Sequence, residues 1–76
     1  MIDHYVQIDK EATGKNIKRL MAEKGISVSE VSNFLSLSCK QTVYRWLRGE
    51  TFPNTENSIN LALLLGVTID NIYIVK

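Results

Sequence analysis

The chain has 76 residues, 45% of them hydrophobic and 22% charged, and a net charge of +1. That apolar share excludes a disordered chain, and the length allows one domain with one modest core. A lone cysteine, Cys39, excludes an internal disulfide and fits a reducing cytoplasm, and no apolar run is long enough for a bilayer-spanning helix.

Residues 3–9 alternate roughly as a short strand or arm does, with Tyr5, Val6 and Ile8 as packing candidates, so 1–12 reads as an N-terminal arm without the features of a secretory leader. Thr13 is the expected cap of a first helix over 14–24, with Ile17, Leu20 and Met21 on its inward face. Gly25 then stops it, because glycine takes up the left-handed backbone at little cost. Ser27 is placed to cap a second helix running to about Leu35, and Glu30, three residues on, has capping-box spacing. Val31, Phe34 and Leu35 recur at helical spacing along it. Ser36-Leu37-Ser38 supplies a break, an apolar plug and an N-cap for a third helix over 39–48, which Gly49 ends. Val43, Trp46 and Leu47 form the inward side of that helix.

Pro53 fixes the chain before a fourth helix that runs from 55 or 56 to 65 and stops at Gly66. Ile59, Ala62 and Leu63 make one inward stripe, while Leu61, Leu64 and Leu65 cover much of the remaining circumference. A helix apolar most of the way round is buried on more than one side. Either the chain's own ends cover the second side or another copy does. Thr68 caps a short fifth helix through Asn71 or Ile72, and 73–76 form an apolar tail. The expected fold is all-α: five helices in one compact domain over 13–72, between an arm and a tail.

Charge is unevenly spread. Between Thr13 and Glu50, seven basic residues face three acids, a surplus of four positive charges, whereas the rest of the chain carries a surplus of three negative ones. Such asymmetry turns one face toward a polyanion. Two helices joined by a short turn, the second with polar hydrogen-bonding side chains outward, meet the geometric requirement for reading a DNA major groove. Along the third helix, Gln41 offers a donor and an acceptor that match the edge of adenine, and Arg45 matches guanine O6 and N7. Lys40 suits guanine or a phosphate, and Tyr44 a thymine methyl or a phosphate. Candidate phosphate contacts are Ser27 and Ser29 at the start of the second helix, Thr42, Arg48 and Thr51 around the third, and Lys15 and Lys18 on the first. Each lysine reads equally well as a solvated surface charge. One histidine and one cysteine supply neither a metal-ligand set nor a nucleophile–base pair, so no metal, cofactor or enzymatic activity is expected.

These residues resemble the XRE-type helix-turn-helix family, related to phage repressor and Cro-like proteins. The resemblance is carried by GKNIKRLMAEKGIS, SVSEVSNFL, SCKQTVYRWLRGETFPN and NSINLALLLGVTIDNI, and covers roughly 13–72. It implies a lambda-repressor-like domain and a sequence-specific, DNA-binding transcription regulator, commonly a repressor. It also implies a homodimer on two half-sites, for which the Leu61/Leu64/Leu65 surface and the tail are the candidate contact. Two features depart from the family pattern. Val28 or Ser29 stands where the family often has glutamine, and Ser36-Leu37-Ser38 stands where it commonly has glycine, in a turn one residue longer. That length leaves open which of Cys39, Lys40 and Gln41 enters the groove first. A different class of reading keeps the fold for a protein-interaction module, such as the antitoxin of a toxin pair.

Overall fold

A chain this short can enclose a core only if its helices cross closely, and two glycines set how closely. The computed structural model describes residues 5–76 and contains α1 (Lys10–Lys24), α2 (Val28–Phe34), α3 (Gln41–Leu47), α4 (Thr55–Leu65) and one turn of 3-10 helix (Ile69–Asn71). The expected arm before Tyr5 lies outside the described residues. At Gly14, a Cβ atom would lie 2.5 Å from the carbonyl oxygen of Trp46 and 2.7 Å from that of Leu47. Gly49, with φ of 77°, presses against the backbone of Glu11 in the same way. α1 therefore lies backbone to backbone across the C-terminal end of α3, a contact that only glycine permits.

α1 begins at Lys10 rather than at residue 14, and its N-cap is Asp9, whose carboxylate accepts the Ala12 N–H at 3.0 Å. Thr13, expected as the cap, is instead buried inside the helix, where its hydroxyl accepts the Ile74 N–H at 2.9 Å. An aspartate upstream of a good helix-forming stretch competes better for the cap, and the threonine is left for the tail. Gly25 ends α1 in the left-handed conformation, as expected. Ser27 and Glu30 form the expected capping box at the start of α2.

In α2, Val31 is fully buried and Leu35 packs against the core, but Phe34 is 51% exposed. The seven-residue helix has room for one inward stripe, and Val31 and Leu35, one turn apart, occupy it. The turn that follows holds Ser36 at φ 55°, while Leu37 packs against the core as the expected plug. α3 starts at Gln41, with Lys40 as its half-helical first flank and no side-chain cap, so Ser38 does not have the role expected of it. Ser38 lies two residues upstream of Lys40, too far to cap the helix.

α4 corrects the sequence reading most. Its buried stripe is Ser58, Leu61, Ala62 and Leu65, whereas Ile59 and Leu63, expected inward, are 48% and 68% exposed. Ser58 disguised the stripe: a polar residue holds an inner position, where its hydroxyl pairs with that of Tyr73 and reaches the Pro53 carbonyl. With Leu61 and Leu65 fully buried, the surface expected for dimer contact does not exist as such. The fifth helix is only the 3-10 turn Ile69–Asn71, and the Thr68 side chain makes no capping bond. The Asn71 N–H bonds the Thr68 carbonyl at 3.0 Å and the Ile72 N–H that of Ile69 at 2.9 Å, the i to i+3 pattern of a 3-10 turn, and Ile72 then enters the core. Asn16 of α1 holds this turn by donating to the carbonyls of Asn71 and Ile72, at 2.7 and 3.0 Å.

Ile8 and Val75 form an isolated antiparallel bridge rather than a strand pair. The Asp9 N–H reaches the Ile74 carbonyl at 2.7 Å, and the Lys76 N–H reaches that of Gln7 at 2.8 Å. Residues 7–9 and 74–76 thus lie side by side. Among the described residues, no helix is long and apolar enough to cross a membrane, and no three metal-ligating side chains cluster.

Candidate nucleic-acid interface

The orientation of α3 follows from its burial pattern. Val43 and Trp46 are buried, the indole only 3% exposed, and this pins one side of the helix to the core. The opposite stripe is Gln41, Tyr44, Arg45 and Arg48, at helical spacing, with Lys40 just ahead of it, and all five are exposed. None is covered by the described parts of the chain's own ends. The helix ends with Gly49 in the left-handed conformation, its N–H on the Trp46 carbonyl and that of Glu50 on the Arg45 carbonyl, which fixes the length of the stripe.

Gln41 is the first fully helical residue, with Lys40 at the N-cap position before it. Cys39 lies outside the helix and is exposed; its Sγ is 3.9 Å from the Thr42 hydroxyl. That hydroxyl, then the N–H groups of Thr42 and Gln41 and the nearby Arg45 charge, hold the Cys39 thiol below its ordinary pKa. Thr42 is half-buried and turned toward Cys39, so its hydroxyl already has a neighbour.

The other expected residues divide into those the fold gathers and those it leaves apart. Lys18 of α1, Ser27 at the cap of α2, and Tyr44 and Arg48 of α3 line one hollow beside the stripe. Lys15 does not line this hollow and forms an exposed ion pair with Glu11 at 3.4 Å. Ser29 is half-buried in the first turn of α2, and Thr51 is exposed in the connection after α3. Arg48 is bound by Glu50, whose carboxylate holds the guanidinium above its ordinary pKa and is itself held below the usual carboxylate range. An exposed pair of this kind contributes little to stability, so Arg48 can exchange Glu50 for another anion. Glu50 is not among the expected site residues, although the Arg-Gly-Glu order places the two charges within reach. Lys18, Lys40 and Arg45 have no carboxylate partner among the described residues.

A buried tryptophan under a wet polar stripe, presented by the second of two helices across a short turn, defines a helix-turn-helix domain. No protein-family model and no curated protein matches the chain. Among solved structures, the restriction-modification controller protein C.AhdI from Aeromonas hydrophila is similar to it, with a TM-score of 0.75 and 22% sequence identity over 84% of this chain and 96% of that one. At that identity the likeness is one of fold, and the fold agrees with the one the sequence resemblance implies.

Proposed function

We propose that this protein is a sequence-specific DNA-binding transcription regulator that reads the major groove with α3. The observation that carries the reading is the exposed stripe of Gln41, Tyr44 and Arg45 over the buried Val43 and Trp46. Gln41 and Arg45 are one turn apart and carry side chains suited to adenine and guanine edges. Lys40 and Tyr44 flank them. Ser27, Ser29, Thr42, Arg48, Thr51, Lys18 and Lys15 are assigned to the phosphates, Lys15 and Arg48 by exchanging their exposed carboxylate partners. The controller role in the name of the similar protein supports a regulatory reading, and repression by occlusion of a promoter is the mode proposed.

One helix reads only a few base pairs, so selectivity requires two copies with their recognition helices about 34 Å apart. The dimer is proposed to form through the exposed side of α4, where Ile59 and Leu63 lie one turn apart. That same apolar side is what favours the rival reading, an adaptor for another protein.

Selection of bound duplexes from a random pool tests the proposal. The expected result is a two-fold symmetric site with affinity falling steeply as salt rises. Absence of any enriched sequence, with salt-insensitive binding, would leave the adaptor reading in its place.

A further inference from the structure

The hollow beside the stripe combines apolar and cationic side chains. It measures about 560 Å³ and lies where α1, the start of α2 and the end of α3 meet. That is within the range of roughly 300–1,000 Å³ typical of small-ligand sites. Its floor is apolar: Met21 and Ala22 from α1, Ile26 and Val28 from the entry to α2, and Leu47 from α3. Its rim carries the Lys18 cation, the Tyr44 hydroxyl and Arg48, whose guanidinium a ligand would have to draw from Glu50, and no acidic residue lines the hollow itself. Lys18 has no carboxylate partner, and the Tyr44 hydroxyl no hydrogen-bond partner, among the described residues. A duplex backbone could satisfy the rim but offers nothing apolar to the floor.

We propose that this hollow binds a small amphipathic anion, an apolar ring or chain bearing a carboxylate, sulfonate or phosphate. The apolar body lies on Met21, Ile26 and Leu47 while the anionic head meets Lys18 and Arg48. Such a ligand occupies Tyr44 and Arg48 and so competes with the duplex. This consequence rests on the proposed function, whereas the binding itself does not and is tested without DNA.

The test is a titration of the full chain with anilinonaphthalene sulfonate, followed by probe fluorescence and by amide chemical shifts. Neutral N-phenylnaphthylamine and inorganic phosphate serve as the two comparison probes. Saturable binding is expected, with shifts centred on Met21, Ala22, Ile26 and Leu47, and at least about tenfold tighter than for either comparison probe. Ala22→Glu, on the exposed side of α1, is expected to weaken it about tenfold by setting a negative charge beside the head group, and Lys18→Gln by a smaller factor. Circular dichroism confirms that both variants are folded. The proposal is overturned by lack of saturation, or by shifts centred elsewhere, such as on Leu63. It is also overturned if either comparison probe matches the sulfonate, or if folded Ala22→Glu binds unchanged.

Discussion

α3 and α4 are both amphipathic on paper, yet only one declares which way it faces. In α3, apolar and polar residues separate cleanly: Val43 and Trp46 go in, and Gln41, Tyr44 and Arg45 stay out. In α4, Leu61 and Leu65 are fully buried while Ile59 and Leu63 are largely exposed, and all four are aliphatic. Contrast between faces, rather than hydrophobic content, is what fixes the rotation of a helix in advance. Where contrast is missing, packing decides which apolar side is buried, and the other stays exposed.

The largest expected effect tests that division directly. Trp46→Ala removes a buried aromatic and is expected to cost about 3–5 kcal/mol, enough to unfold a domain of this size. Leu63→Ala, at an exposed site, is expected to stay within about 0.5 kcal/mol. Chemical denaturation of both variants measures the gap; comparable losses would mean that α4 is rotated from the orientation described.

Next in size is the crossing of α1 over α3. Gly14→Ala places a methyl group 2.5 Å from the Trp46 carbonyl oxygen, and a loss of about 1–3 kcal/mol is expected from overpacking. Alanine favours helix over glycine, so a thermal melt showing stabilisation would show that the two helices separate freely.

On the wet side of α3, Arg45→Ala is expected to flatten base preference at one position and to cost about 1–3 kcal/mol of discrimination. Selection of bound duplexes reads this out. An unchanged consensus would remove Arg45 from the base contacts proposed above.

Ser36 is the one described non-glycine residue with positive φ, at 55°. The left-handed backbone disfavours a side chain, so Ser36→Gly is expected to stabilise by about 1 kcal/mol, which raises Tm by about 4–8 °C. A lower Tm would mean that the greater freedom of glycine in the unfolded chain outweighs relief of the strain.

The smallest effect concerns Cys39. Its thiol is held below the ordinary pKa, first by the Thr42 hydroxyl. Alkylation requires the thiolate, so the rate in the folded protein should rise at lower pH than in the unfolded chain. Thr42→Val should move that rise back toward higher pH. A rate profile indifferent to the substitution would remove the Thr42 hydroxyl as the cause.

Local chemistry, read from the amino acids alone, determined the helix stops, the start of α2 and the orientation of α3. Gly25, Gly49 and Gly66 ended helices because their left-handed backbone is cheap, the Ser27–Glu30 box started one, and Trp46 chose the core because its neighbours gave it a polar opposite face. The tertiary structure decided what depends on residues distant in the chain. Thr13 left its expected cap for Ile74, Ser58 was admitted to the interior by Tyr73, and Gly14 was required by the backbone of Trp46. It also decided that Lys18, Ser27, Tyr44 and Arg48 share one hollow, since four side chains from three elements meet only when the helices cross. Periodicity reports which side of a segment is apolar; which partner accepts that side is settled by packing.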